Sequence, residues 1–77
     1  MTLYLVETCD RDGHVLHGKR VVAPDAFAAL ARANRRLRMM IRNEAAALDP
    51  KGHVDVKDVG GHRVARVVCA EAIAAMS

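Results

Sequence analysis

Between Asp25 and about Leu48 the hydrophobic positions recur at three- and four-residue steps, the period of one face of an α-helix. These positions are Phe27, Leu30, Leu37, Ile41, Ala45 and Leu48. Pro24 and Asp25 suit the start of a helix, because proline is tolerated in the first turn and aspartate caps free N–H groups. Pro50 disfavours helical backbone at the residue before it. The pattern predicts one long amphipathic helix from Asp25 to about Leu48.

Four shorter segments are rich in β-branched residues or alternate between apolar and polar positions, as strands do. They are residues 2–9, 14–23, 53–57 and 62–69. Two similar turns, Asp10 to Gly13 and Asp58 to Gly61, each begin with an aspartate and end with a glycine. Such residues favour tight turns, so we interpret the likeness as shared turn chemistry rather than an internal repeat. A bulge is expected at Gly18.

Two hairpins around one helix predict an α+β fold of β-β-α-β-β order, in a single domain over residues 1–77. We expect a four-stranded, mostly antiparallel sheet with the long helix packed on one face. We expect residues 71–76, which are apolar apart from Glu71, to form a last helical turn or two. This segment must dock to be ordered, because so short a helix is unstable alone.

The first strand is apolar on both faces, with Leu3 and Leu5 on one and Tyr4 and Val6 on the other. A single helix covers only one face of a sheet, so the second needs the C-terminal tail, a partner subunit or both. The core is also thin, since the chain has one Phe, one Tyr and no Trp. These features predict a homodimer; the alternative is that valines simply tolerate half-exposed strand positions.

Composition indicates which partners the protein can bind and in which compartment we expect it. A net charge of +3 permits nucleic acid or acidic partners without requiring either. The two cysteines, Cys9 and Cys69, lie in apolar runs and are expected to be reduced and buried. The first residues resemble a strand rather than a secretory signal, and no apolar run approaches the ~20 residues that span a bilayer. We therefore expect a cytoplasmic protein that does not enter a membrane.

Several short motifs occur in one order along the chain. They are Tyr4 in the first strand, the Asp12-Gly13 turn, Pro24-Asp25, the segment 54–58 with Gly61, and the closing residues 71–73. In this order the chain resembles the small bacterial proteins of the domain of unknown function 6894 family. The resemblance implies the same α+β fold and a bacterial, cytoplasmic setting. It implies no activity and no site residues, because that family carries none that is established.

The helix also carries a cluster of positive charge, which is the main candidate binding surface. Its residues, with one methionine among them, are Arg32, Arg35, Arg36, Arg38, Met39 and Arg42. We expect Arg32, Arg35, Arg36 and Arg42 on the far side from the apolar stripe and Arg38 at its border. Such a row could contact phosphates, but no aromatic residues interleave for base stacking. The competing interpretation is a solvated or protein-binding face.

Histidines and cysteines raise the question of a metal. The set His14, His17, His53, His62, Cys9 and Cys69 matches no zinc-binding spacing. A nucleophile elbow, a phosphate loop and paired carboxylates at helical spacing are also absent from the sequence. We therefore expect no metal, no cofactor and no enzymatic activity.

Taken together, these patterns predict a small cytoplasmic interaction module that self-associates and contacts its partners through the sheet. The alternative function is that of a nucleic-acid-binding accessory protein that uses the arginine-rich helix.

Overall fold

The computed structural model describes residues 1–43 and 48–76. Its elements are β1 (Thr2–Cys9), β2 (Val15–Ala23), α1 (Ala26–Arg42), β3 (His53–Lys57), β4 (Arg63–Val68) and α2 (Cys69–Met76). The four strands form one sheet in the order β2-β1-β3-β4, and every neighbouring pair is antiparallel. The predicted α+β fold of β-β-α-β-β order with a short C-terminal helix is confirmed.

Two aspartates build the two hairpin turns in the same way. The Oδ1 atom of Asp10 accepts hydrogen bonds from the backbone N–H of Asp12 and His14 at 2.9 and 2.8 Å. Asp58 repeats this arrangement in the second hairpin, with two bonds of 2.9 Å. Each turn ends in a glycine with positive φ, 86° and 82°, which other residues rarely adopt. The structure thus supports shared turn chemistry.

The bulge in the first hairpin does not occur at Gly18. Gly18 pairs regularly with Glu7, and the register shifts where Cys9 faces Val15 while Thr8 faces His17. The unpaired residue is therefore Leu16, next to the turn. A bulge at a hairpin end re-aims the neighbouring side chains and increases the local twist.

The long helix begins where the sequence predicts but ends sooner. Asp25 is the N-cap, and its side chain accepts a hydrogen bond of 2.8 Å from the Ala28 N–H. The helix ends at Arg42, Asn43 forms the C-cap, and Leu48 is already non-helical. Asparagine competes for backbone hydrogen bonds and so favours helix ends. The predicted stripe residue Ala45 lies outside the described residues.

The buried stripe of α1 also differs from the predicted one. The buried helix residues are Ala29, Ala33 and Leu37, whereas Phe27 is 80% exposed. On a helical wheel this places the buried face roughly 80° from the centre of the predicted stripe. The small alanines allow the helix backbone to approach the sheet closely, and β1 fills the core with the larger Tyr4 side chain.

Helix α2 packs on the same side of the sheet as α1. Cys69 and Ala72 are buried in the core cluster that the sheet forms with α1. The C-terminal helix therefore docks as predicted, but it leaves the other sheet face uncovered by the described elements. No helix of the described residues is long and apolar enough to cross a membrane.

Candidate functional site

A groove of about 680 Å³ lies between α1 and the edge strand β2. Its five cationic lining residues are Lys19, Arg20, Arg32, Arg35 and Arg36. His17 adds a further nitrogen ligand or hydrogen-bonding group, and no acidic residue occurs among the described lining residues. Clustered charge of one sign in a concave surface raises the local concentration of ions of opposite sign. The groove therefore attracts anionic groups.

Strand register explains why β2 contributes its cations here. His17 pairs with Thr8 and Lys19 pairs with Val6 across the β1–β2 ladder. Directly paired residues lie on the same face of a sheet. Since Val6 and Thr8 are buried on the helix side, His17 and Lys19 lie on that side too. They face α1 across the groove. Arg20 pairs with Leu5 on the opposite face, so it borders the groove without directing its side chain toward α1.

The arginine cluster predicted from the sequence is divided by the structure. Arg32, Arg35, Arg36 and Met39 line the groove. Arg38 and Arg42 are exposed residues that do not line it. Arg36 is half-buried rather than on the far side of the helix, because the buried face of α1 is rotated toward it. Four of the six predicted residues thus belong to one site.

Two of these arginines already contact β2. The Arg32 guanidinium donates a hydrogen bond to the Val22 carbonyl oxygen, and the Arg36 Nη2 atom lies 2.9 Å from the His17 Nε2 atom. These contacts join the two walls of the groove. The Arg36 Nε atom is buried and has no hydrogen-bond partner among the described residues. It is therefore a buried charged donor that the described residues leave without an acceptor.

The floor of the groove is apolar. Val6 of β1 and Val21 of β2 line it, together with Ala33, Met39 and Met40 of α1. Met39 is 58% exposed, and unbranched methionine side chains adapt readily to different partners. Tyrosine, phenylalanine, tryptophan and other planar stacking surfaces are missing from the described lining residues. The site can hold an anionic group and an apolar group side by side.

The opposite sheet face is mixed rather than apolar. Its margins expose Leu3, Val22, Val64 and Val68, which are 36–48% exposed. Its centre carries two ion pairs, Glu7–Lys57 and Asp55–Arg66, each with a closest approach of 2.6 Å. The prediction of apolarity on both faces therefore holds only at the margins. Leu5, the second predicted apolar residue of β1, is half-buried there.

The electrostatics of this centre follow from burial and pairing. Burial opposes ionisation of Asp55, but the Arg66 hydrogen bonds and charge outweigh it and lower the pKa of Asp55. The hydrogen bond from Lys57 to Glu7 raises the pKa of Lys57. Burial, reinforced by the negative charges of Asp55 and Glu7, raises the pKa of the Cys9 thiol. A thiol held protonated is a poor nucleophile.

The predicted histidine and cysteine set is scattered over the molecule, with one exception. His14 and His62 lie beside the turn aspartates Asp10 and Asp58, at 3.3 and 3.4 Å. Cys69 is buried at the start of α2. Cys9 and His53, however, are cross-strand partners on the mixed face. Asp55, which sequence spacing did not connect with them, lies in the same group.

Comparison of the chain with protein-family models, with curated proteins and with solved structures gave no match. The resemblance to the domain of unknown function 6894 family therefore stays a prediction. The geometry of the chain itself is therefore the basis for a proposed function.

Proposed function

We propose that this chain is a small binding module without enzymatic activity, whose groove between α1 and β2 binds an extended acidic and apolar segment of a partner protein. One observation carries this proposal. Four cationic side chains, those of Lys19, Arg32, Arg35 and Arg36, surround an apolar floor, and no described residue of the lining is acidic. A ligand that satisfies both parts must combine carboxylates with hydrophobic side chains.

The edge strand beside the groove favours an extended ligand. Among the described strands β2 pairs only with β1, so its outer edge offers backbone donors and acceptors to a further strand. Added strands bind through main-chain hydrogen bonds, and alternate side chains enter neighbouring pockets. Every second side chain of such a segment would point toward α1, where the arginines and the apolar floor lie. The geometry thus provides both affinity and specificity.

Nucleic acid is the competing ligand, and the lining disfavours it. Single strands bind proteins largely by stacking bases on aromatic rings, which the described lining lacks. A phosphate backbone would also leave the apolar floor unused. The arginines alone would still give salt-dependent, sequence-independent binding. Direct competition between the two ligand classes therefore tests the proposal.

The probe is a fluorescein-labelled peptide of nine residues, the length of β2. Its odd positions alternate between Val and Glu, so that both types face the groove, and its even positions are Thr. A second peptide carries Lys in place of Glu. We expect fluorescence anisotropy to show binding of the acidic peptide at low salt, weaker binding as salt increases, and no binding of the basic peptide.

Two arginines of one helix provide a matched pair of variants. Arg35 and Arg42 are both exposed, but only Arg35 lines the groove. Arg35→Glu and Arg42→Glu change the net charge equally, so any difference between them reports position. We expect Arg35→Glu to weaken peptide binding by roughly tenfold or more, equivalent to about 1.4 kcal/mol, and Arg42→Glu to have a much smaller effect. Equal effects, or tighter binding of a DNA or RNA oligonucleotide than of the peptide, would refute the proposal.

Self-association is a second candidate, favoured by the uncovered sheet face. The exposed margin residues Leu3, Val22, Val64 and Val68 provide apolar contacts there. The charged pairs at its centre would have to be matched by the second copy, because burying unmatched charges is costly. Sedimentation velocity at micromolar concentration tests the homodimer, and a stable monomer would exclude it. Both cysteines are free and buried, which supports placing the module in the reducing cytoplasm.

A further inference from the structure

The mixed sheet face contains a compact group of three metal-ligating side chains. Cys9 and His53 are paired across β1 and β3, and Asp55 follows His53 by two residues, so all three lie on one face. Their sulfur, nitrogen and oxygen ligand atoms lie within 4.8 Å of one another. Cys9 and Asp55 are only 4% and 5% exposed. This group plays no part in the groove.

We propose that Cys9, His53 and Asp55 bind a zinc ion. A thiolate, an imidazole and a carboxylate are the side chains that bind Zn²⁺ in proteins. Zinc–ligand bonds of about 2.0–2.3 Å in a tetrahedron place the ligand atoms roughly 3.3–3.8 Å apart. Ligand atoms at the observed limit of 4.8 Å would have to approach each other by about 1.0–1.5 Å. The His53 Nε2 and Asp55 Oδ2 atoms, 3.5 Å apart, already have a suitable spacing.

Arg66 orients the carboxylate ligand. Its Nε atom lies 2.6 Å from Asp55 Oδ1 and its Nη2 atom 3.1 Å from Oδ2. Each carboxylate oxygen has two acceptor positions, so Oδ2 retains one on the side of His53, whose Nε2 atom is 3.5 Å away. Metal-binding carboxylates are commonly held by such an outer hydrogen-bonding partner. The group therefore contains three metal ligands and a residue, Arg66, that orients one of them.

The charge balance permits the ion. Without metal, the carboxylates of Glu7 and Asp55 are balanced by the cations of Lys57 and Arg66. When the zinc–sulfur bond forms, the Cys9 thiol releases its proton to solvent, so the cluster gains a net charge of about +1. Three protein ligands leave the fourth coordination position for water. No oxidation or reduction is involved.

A second group of ligating side chains serves as a control. Asp10, Asp12 and His14 also lie close together, but Asp12 and His14 are exposed and Asp10 already accepts the backbone hydrogen bonds of its turn. This group has an evident structural role and lacks a thiol. Binding of a metal there would differ from the proposed site in its spectrum and in the variants that abolish it.

The test uses the full chain, reduced and freed of metal with a chelator, and titrated with Co²⁺ and then with Zn²⁺. We expect one equivalent of Co²⁺ to give a sulfur-to-cobalt charge-transfer band and intense visible bands of tetrahedral geometry, both removed by Zn²⁺. Calorimetry with Zn²⁺ should show the same stoichiometry. Absence of binding, or cobalt spectra without sulfur ligation, would overturn the proposal.

Variants then assign the ligands. Loss of an outer-shell partner alone costs a metal site roughly 10- to 100-fold in affinity, so we expect Cys9→Ala and His53→Ala to lose at least that much. Cys69→Ala, which removes the other buried thiol, and His14→Ala should bind as the unchanged chain does. Asp55→Asn keeps the side-chain shape and tests the third ligand if a larger change prevents folding. Circular dichroism verifies that each variant is folded, and binding lost in the Cys69 or His14 variant instead would refute the assignment.

Discussion

Leu37 and Phe27 provide the sharpest test of how α1 packs on the sheet. Both belong to the apolar stripe read from the sequence, but Leu37 is 1% exposed and Phe27 is 80% exposed. Truncating the smaller side chain should therefore be costly, whereas truncating the larger one should not. The comparison of Leu37→Ala with Phe27→Ala therefore separates the two orientations of the helix.

The magnitude for Leu37→Ala follows from its burial. The substitution removes about three methylene equivalents, worth roughly 0.8 kcal/mol each when buried. The cavity left behind adds to this, and measured losses for such changes are about 2–5 kcal/mol. We expect a decrease of about 3 kcal/mol in the free energy of unfolding. For a domain of this size that corresponds to a fall in Tm of roughly 12–24 °C.

Phe27→Ala should change the free energy of unfolding by no more than about 0.5 kcal/mol, as is usual at exposed positions. Alanine is also the better helix former, which offsets the little contact that Phe27 makes. Urea denaturation followed by circular dichroism measures both variants. Equal losses, or a larger loss for Phe27→Ala, would refute the observed orientation of the helix. The buried stripe would then be the one predicted from the sequence.

Two further predictions concern backbone approach and pH. A Cβ at Gly52 would overlap the Cys9 carbonyl oxygen, whereas one at Gly18 meets open space. In urea denaturation Gly52→Ala should therefore cost about 3 kcal/mol or more. A similarly small effect of Gly52→Ala and Gly18→Ala would contradict this. The Arg11 guanidinium, with two hydrogen bonds of 2.9–3.0 Å, lowers the pKa of Asp49 well below its usual range. A lowered folded-state pKa stabilises the protein above the unfolded-state pKa of about 4, and this contribution is lost as the pH falls toward the folded-state value. Unfolding measurements at pH 5 and pH 2 should show a smaller acid loss for Asp49→Asn than for the unchanged chain, and an equal loss would refute the role of this ion pair.

Sequence patterns were sufficient to predict the secondary-structure elements and their order along the chain. Asp25 before a run of helix formers indicated the N-cap, and the Asp-to-Gly turns indicated both hairpins, because these signals depend on backbone geometry within a few residues. The C-terminal end of the helix was predicted too far along the chain, because the local signal there is weak. The sequence near Asn43 favours a helix end only weakly, and Pro50, the stronger signal, occurs seven positions later in the chain.

The candidate sites required tertiary information. Arg35 and Arg42 are equivalent in the sequence, and only the packing of α1 against β2 places one at the groove and the other in solvent. Lys19 lies in the groove because it pairs with Val6 across the β1–β2 ladder. No local sequence pattern reveals this pairing. Cys9 and Asp55 likewise meet through strand register, although they are 46 positions apart in the chain.

The sequence by itself determined where helix and strands occur, because hydrophobic period, capping and turn chemistry act between near neighbours. Only the tertiary structure decided which face of the helix is buried. Alanine and leucine compete for the core by fit as well as by hydrophobicity, and close approach of the helix to the sheet favoured Ala29 and Ala33 over the larger Phe27. That rotation positions the arginines that form the groove.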